Sequence, residues 1–443
     1  MKQERLDRRA ELELMFENYS YIPREAIVQI DVQRCGLDFT ESALQILEPY
    51  ATKTYNLFTF DRVSHEEVPS KAFVRIPDQI RFTGGIYGLR GIVKTSEVRI
   101  NPNSNYVINV IDEELKLCVK ERGQHIPIAE VLNPHPVPKY MSKRFEDGTS
   151  YAAVVDAQPG KSFSRIVPFR MCQFWGYKEE CKFCDINNAA RAQTKMGRRP
   201  KGRSWVEKVD QVVEACQEIY LREKWSPSLR PRSIMITGGT ILRKLDGLSE
   251  DDFYLRYVEA IKEAIGSRWP ICLQTSPKPR KTAERYKEAG VDAHETNLEV
   301  WDERLFNIIC PGKAKYFGRE KWIKLMLDEV DVFGEGNVSP CFVAGVEMCQ
   351  PWGFKTVDEA VKSTAEGYEF LMAHGVIPRP SLWVISAGSA LKDNISPPLE
   401  YYVRSYWIWY ELWKQYGLPP VRRFNLMGPG REQAERGWLS MGY

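Results

Sequence analysis

From about residue 163 to residue 386, short apolar runs alternate with longer helical segments. That alternation constrains the fold more than any other feature of the chain. The strand candidates are SRIVPFR (164–170), RSIMIT (232–237), PICLQT (270–275), VDAHETNLE (291–299), NVSPCFVAGVE (337–347) and RPSLWVIS (379–386). Helix candidates lie between them at 204–225, 251–265, 281–289, 319–333 and 356–373. Ser204 with Glu207, and Thr356 with Glu359, have the spacing of capping boxes and mark two helix starts. Strands joined by helical crossovers run parallel, so the region is α/β. Six such units do not match an eight-fold barrel. They fit a partial (β/α)6 TIM-like barrel whose mouth lies at the C-terminal strand ends. A two-layered open sheet is the rival arrangement.

The flanking regions differ in pattern. Residues 1–25 read as a polar, charged helix. Residues 26–160 carry short alternating runs, AFVRIP (72–77), GLRGIVKTSEVRI (88–100) and YVINVI (106–111), punctuated by Gly, Pro and Asn. These predict an antiparallel β-rich region within an α+β extension. The stretch NPHPVPKYMSKRFEDGTS (133–150) has three Pro and no period, and reads as a linker or wrapping loop. After residue 396, PPLEYYVRSYWIWYELWKQYG places aromatic residues on a helical spacing. It reads as a helix packed on the core, or alternatively as a lid lining a substrate pocket. The expected division is an N-terminal extension and candidate active-site cover (1–160), the barrel (161–395) and an aromatic-rich C-terminal helical cap (396–443).

Composition excludes several classes. The 443 residues carry a net charge of only +3, which gives no global field for nucleic acid or a membrane surface. No apolar run approaches the ~18 residues needed to span a bilayer. The N-terminal MKQERLDRRAELELMFENY has no apolar core of a secretory signal, so a cytoplasmic location is expected. Ten Cys in a chain of this length are too sparse for a disulfide scaffold, and clustered Cys in a reducing compartment point to metal or catalysis.

The densest chemical signal is MCQFWGYKEECKFCDINN (171–188), which places Cys172, Cys181 and Cys184 in a C-x8-C-x2-C pattern. The segment follows the first barrel strand, at the mouth. Structural zinc takes four ligands in a closed tetrahedron, and a fourth is missing here. None of the five His lies within 30 residues of the cluster. A [4Fe–4S] cluster suits three thiolates if one iron is left open for an exogenous ligand. Zinc and three unmetallated thiols remain the alternatives. Cys310, Cys341 and Cys349 could be imagined as a second cluster site but lack a C-x2-C core. Cys35, Cys118, Cys216 and Cys272 sit singly.

At these residues the sequence resembles the radical S-adenosylmethionine (radical SAM) superfamily, in its biotin synthase-like branch. CKFC (181–184) carries an aromatic, Phe183, just before its last Cys; the resemblance places that ring near the adenine of S-adenosylmethionine. ITGGT (236–240), ending the second strand, resembles the family's Gly-Gly-acidic motif. It would give Thr237, Gly238, Gly239 and Thr240 the methionine amino group. NLE (297–299), Y-x-x-R (Tyr316 to Arg319), GVE (345–347) and GSAL (388–391) are similar to branch motifs. They imply Asn297 and Glu299 at the ribose or amino acid part, Arg319 at the methionine carboxylate and Val346 against the adenine. The resemblance covers about 163–395. The sequence departs from it in the first Cys gap, five residues longer than C-x3-C-x2-C, and at Thr240, where an acidic residue is more usual.

The resemblance implies an enzyme that binds a [4Fe–4S] cluster and S-adenosylmethionine. An electron donor such as flavodoxin or ferredoxin would reduce the cluster. S-adenosylmethionine would then be cleaved to a carbon radical, usually 5′-deoxyadenosyl, which abstracts hydrogen from a small-molecule substrate. Rearrangement, C–C or C–S bond formation, or methylation would follow. A primary carbon radical requires a closed mouth, and the N-terminal extension and C-terminal segment are the expected covers. The rival is a non-enzymatic iron–sulfur or zinc protein that holds an anionic partner through the basic loop RAQTKMGRRPKGR (191–203). No catalytic residue is named by the sequence.

Overall fold

The computed structural model describes residues 8–52, 76–85, 87, 93–161, 163–195 and 202–418. The N-terminal unit begins with helices Arg8–Asn18, Arg24–Cys35 and Glu41–Leu47. Its strands are β1 (Asp38–Phe39), β2 (Gln79–Thr83), β3 (Lys94–Glu97), β4 (Tyr106–Ile111), β5 (Glu114–Glu121) and β6 (Gln124–Leu132), in the order β1-β4-β5-β6-β2-β3. Two tight hairpins set its register. Asp112 and Glu113 (φ 52° and 65°) join β4 to β5, and Arg122 with Gly123 (φ 47° and 81°) joins β5 to β6. Paired positive φ values are what two-residue hairpins on twisted strands demand.

The runs at 88–100 and 106–111 supply β3 and β4 of a largely antiparallel sheet, apart from a parallel β1–β4 pair; residues 72–75 of AFVRIP and 88–92 lie outside the described residues, and 76–77 belong to no strand. The segment 24–35 is not in the sheet. It forms a helix with buried Gln29, Asp31, Gln33 and Arg34, and this polar content hides its apolar face from periodicity. Asp31 is fully buried; it accepts hydrogen bonds from Arg34 Nε (2.8 Å) and Tyr106 OH (2.5 Å). The single helix expected over 1–25 is, within the described residues, the helix at 8–18 followed by a turn into this second one.

Strands β7 (Val155–Asp156), β8 (Phe163–Ile166), β9 (Ser233–Ile236), β10 (Ile271–Gln274) and β11 (Val291–Glu295) form a sheet in the order β11-β10-β9-β8-β7. Strands β12 (Cys341–Ala344) and β13 (Arg379–Leu382) pair in parallel. Parallel bridges His294–Val338 and Glu299–Phe342 join that pair to the β11 segment. From β8 to β13 each strand therefore lies beside its predecessor, with helices outside: a curled (β/α)6 half-barrel. A doubly wound sheet would reverse its strand order at a switch point. No reversal occurs from β8 to β13, so the two-layered alternative is corrected.

Most predicted helices occur within a residue or two of their expected positions, at Glu250–Ile265, Arg280–Glu288, Arg319–Phe333 and Val357–Met372. Thr356 and Glu359 make both hydrogen bonds of a capping box. Ser204 and Glu207 do not. The helix starts at Val209 and ends in a π-turn at Glu218–Arg222. Ser204 instead accepts from Val206 N, and Glu207 is buried between Arg170 (2.8 Å) and Arg203 (2.7 Å). Two guanidiniums outcompete one backbone N–H for that carboxylate.

The aromatic segment after residue 396 is the helix Leu399–Gln415. Leu399, Tyr401, Tyr402, Val403 and Tyr406 join the hydrophobic core of the N-terminal unit, with Ala360 and Val361 of the neighbouring helix. The packing reading holds, and the lid reading is corrected: no residue of this helix lines the main cavity. Among the described residues, no helix is long and apolar enough to cross a membrane.

Candidate functional site

A cavity of about 330 Å³ opens at the C-terminal ends of the barrel strands. That lies at the lower end of the roughly 300–1,000 Å³ of a small-molecule pocket. Cys172, Cys181 and Cys184 all line it, as do Thr237, Gly238, Gly239 and Thr240 from the end of β9. The N-terminal unit closes one side. Gln33, Glu97 and Arg99 line the cavity beside Arg165 of β8 and Arg379 of β13, the first and last barrel strands. A six-stranded barrel leaves a lateral gap between those strands, and these three residues of the extension line the cavity there.

The cysteine loop is held at many points before any ligand arrives. Cys172 N–H donates to Asn187 Oδ1 (2.9 Å), and Gln173 N–H to the Thr240 carbonyl (3.0 Å). Gln173 Oε1 accepts from the N–H groups of Leu242 and Arg243, both at 2.8 Å. The long gap between the first two Cys folds as a 3-10 turn, Gln173–Tyr177, whose Phe174 is buried and lines the cavity. Beyond the last Cys, Asp185 accepts from Ser386 Oγ, and Asn188 donates to the Gly388 carbonyl (3.0 Å). The GSAL segment is thus tied to the cysteine loop.

The glycines have a role that the sequence did not reveal. A Cβ on Gly239 would lie 1.8 Å from the Met171 carbonyl oxygen, and one on Gly238 would lie 2.4 Å from Tyr254 OH. Both positions require glycine because the cysteine loop and a helix press against the end of β9.

Of the other residues singled out from the sequence, Phe183, Asn297 and Glu299 line the cavity, whereas Arg319 and Val346 are not among its lining residues. Arg319 stacks on Trp301 (4.5 Å) and donates twice to the Trp301 carbonyl, at 3.0 and 2.7 Å. Val346 is fully buried in a 3-10 turn. Asn297 Oδ1 accepts from Cys341 N–H (3.1 Å), which ties β12 to the mouth. Glu299, at φ 74°, pairs with Lys313 at 2.6 Å. Sequence reasoning missed Lys313 and Gln274. Gln274 donates to Glu295 (2.6 Å), which also pairs with Arg379, so a polar network floors the cavity. The alternation of inward positions along β10 and β11 could have flagged Gln274 and Glu295.

Burial governs the thiols. It pushes Cys172 up to about 11 and Cys184 well above the usual thiol range, and the neighbouring cysteines push each of them the same way. Lys313 is held well above the usual lysine range by Glu299, Cys181 and Cys310, against the opposing effect of its burial.

Among the described residues, no three His, Cys, Asp or Glu side chains are gathered around one metal-ion position. The three thiols of a cubane bind separate iron corners, so they do not need that arrangement. His294 is a core residue, fully buried between Glu329 (2.9 Å) and Thr275 (2.9 Å). In the basic loop, Arg203 is engaged by Asp147 and Glu207, and Arg198 and Arg199 lie outside the described residues.

No family model matches the chain. It is 30% identical over 103 residues to bacteriochlorophyllide c C-7(1)-hydroxylase of Chlorobaculum limnaeum, a match covering 23% of each protein. The matched segment thus spans about a quarter of that relative's length. Among solved structures it is similar to methylornithine synthase (TM-score 0.40, 14% identity, 61% of this chain and 71% of the other). It is also similar to coproporphyrinogen III oxidase from Escherichia coli, itself described as a radical SAM enzyme (0.36, 14%, 63% and 57%). A third is the FeFe-hydrogenase maturase of Carboxydothermus hydrogenoformans (0.38, 12%, 57% and 52%).

Proposed function

We infer that this chain is a radical SAM enzyme, and we propose that Cys172, Cys181 and Cys184 hold a [4Fe–4S] cluster beside S-adenosylmethionine in the barrel mouth. The observation that carries the reading is that three thiols from one loop and the Thr237–Thr240 strand end line a single cavity. The donor set fits a cluster with one open corner. A fourth lining thiol, Cys341 of β12, has Arg379, Glu299 and Glu295 as its charged neighbours rather than the other three thiols, and Cys310 is buried beside Cys181 and is not among the lining residues. When bound, the reduced cluster and S-adenosylmethionine supply a carbon radical that abstracts hydrogen from a small-molecule substrate.

The chain's own residues hold and enclose. The Gly238–Gly239 backbone and Thr240 present the strand end to the amino acid part of S-adenosylmethionine. Asn297 and Glu299 stand across the mouth. Lys313, paired with Glu299, is the cation that lines the cavity beside them, which Arg319 does not. Phe183 offers a ring to the adenine. Gln33, Glu97 and Arg99 wall the lateral gap and exclude water from the substrate end. A flavodoxin- or ferredoxin-class donor supplies the electron. The rival reading, anion binding through the basic loop, is weaker because Arg203 already serves the internal pairs.

Anaerobic reconstitution tests the proposal. The parent chain is expected to take up four irons and, with a strong reductant, to release 5′-deoxyadenosine from S-adenosylmethionine. Cys181→Ala is expected to lose both. A Cys181→Ala chain that keeps full iron and full cleavage would overturn the assignment.

A further inference from the structure

The turn Cys310-Pro311-Gly312-Lys313 connects the helices Glu303–Ile309 and Pro311–Tyr316 and is pressed against the cysteine loop. Two backbone hydrogen bonds clip the segments together in antiparallel fashion: Lys182 N–H to the Ile309 carbonyl (2.8 Å) and Gly312 N–H to the Glu179 carbonyl (3.0 Å). The two bonds flank Cys181 on one segment and Cys310 on the other, so the two cysteines are brought side by side. The close fit needs glycine. A Cβ on Gly312 would lie 2.4 Å from the Phe174 ring and 2.7 Å from the Glu179 carbonyl oxygen.

Two groups of this turn therefore reach Cys181. The fully buried Cys310 thiol and the Lys313 ammonium both interact electrostatically with the Cys181 sulfur and with each other. Cys310 is in the wall behind Cys181 and does not face the cavity. It is excess to the three ligands that the open-corner cluster requires.

We propose that Cys310 is a positioning residue for the cluster, whose S–H donates to the Cys181 thiolate and raises the cluster's reduction potential. The physical reason is charge. Reduction adds an electron to the cluster and its thiolates, and a donor aimed at one thiolate stabilises the more negative state. Lys313 acts in the same direction through its fixed charge. The sequence offers no sign of this, because Cys310 lies 129 residues from Cys181 and belongs to no motif.

This inference rests on the cluster assignment, and the test separates the two. Cys310→Ala and Cys310→Ser chains are reconstituted anaerobically. Iron per chain is counted, and the midpoint potential is read by titration followed by electron paramagnetic resonance. With the proposal correct, all three chains hold four irons. The Ala variant shifts to a more negative potential, and the Ser variant, which keeps an O–H donor, returns most of the shift. Equal potentials in parent and Ala variant overturn the proposal while leaving the cluster intact. Loss of iron in both variants also overturns it, making Cys310 a ligand or a packing residue. If only the Ala variant fails to load, Cys310→Val restores the volume without a donor and is read in its place. A parent chain that binds no cluster refutes the functional reading itself.

Discussion

Lys313 Nζ lies 2.6 Å from Glu299 Oε1 and 2.6 Å from the carbonyl oxygen of Asn297, with both side chains of the ion pair nine-tenths buried. The pair joins the turn behind Cys181 to the end of the β11 segment, and Glu299 needs it. Its left-handed backbone and its burial place a carboxylate where water cannot solvate it. Lys313→Met is expected to destabilise the cluster-free chain by roughly 3–5 kcal/mol, because the carboxylate stays buried without its cation. Lys313→Met with Glu299→Leu should recover most of that loss, since both charges then leave together. Urea unfolding of the single and double variants checks this. A single variant as stable as the parent would show that the pair holds nothing.

Gly239 sets how closely the cysteine loop can approach the end of β9. The atoms that an added Cβ would meet are backbone, Met171 O at 1.8 Å and Cys172 Cα at 2.5 Å, so no side chain can swing away. Gly239→Ala is expected to push Cys172 off its position and to cut iron loading to under half of the parent's. Gly176 is the control, because it belongs to the same loop and a Cβ there meets nothing within 4 Å. Gly176→Ala should load iron normally. Iron per chain after identical reconstitution decides between them.

The two capping boxes make a matched pair of opposite outcomes. Thr356 caps Glu359 N–H at 3.2 Å, and Glu359 returns the bond to Thr356 N–H at 3.1 Å. Thr356→Ala should cost about 1 kcal/mol. Ser204 caps no helix, and Ser204→Ala should cost only a few tenths of that. Thermal midpoints of both variants against the parent give the comparison.

These boxes also show what was legible in the sequence. A box is a local pattern, and it succeeds where nothing distant competes. At Thr356 both partners are solvent-exposed, whereas Glu207 is claimed by Arg170, 37 residues earlier. The barrel strands were readable because each is a short apolar run between turn signals, and the three Cys because their chemistry is local. Arg319, like Glu207, is held by distant partners that spacing does not reveal. Spacing fixes its helix start but not its side-chain direction, and the Trp301 ring and carbonyl take the guanidinium. Lys313, Gln274, Gln33, Glu97 and Arg99 reach the cavity only through tertiary packing. The helix 24–35 stayed hidden because its buried face carries Asp31 and Arg34, whose pairing needs Tyr106 and Glu11.

Glu347 gives the chain a pH-dependent stability near neutrality. It is fully buried beside the C-terminal helix, and burial raises its carboxyl to about 7. Oε2 accepts from Gly345 N–H and Tyr401 OH, each at 2.8 Å, while Oε1 is buried with no hydrogen-bond partner among the described residues; Thr364, Tyr368 and Cys349 stand close by. These donors favour the ionised form but do not offset the desolvation. In the unfolded chain the carboxyl titrates near its ordinary value of 4.5, so the folded state binds the proton more tightly. The stabilisation is therefore complete below the unfolded pKa and is lost as pH rises toward and through about 7, by an amount on the order of 3 kcal/mol. Glu347→Gln keeps an acceptor for Gly345 and Tyr401 and removes the titration. Its stability should be flat across that window and should exceed the parent's at about pH 8. Urea midpoints of both chains at intervals from about pH 5 to pH 8 give the two slopes, and parallel slopes would mean that Glu347 is not the titrating group.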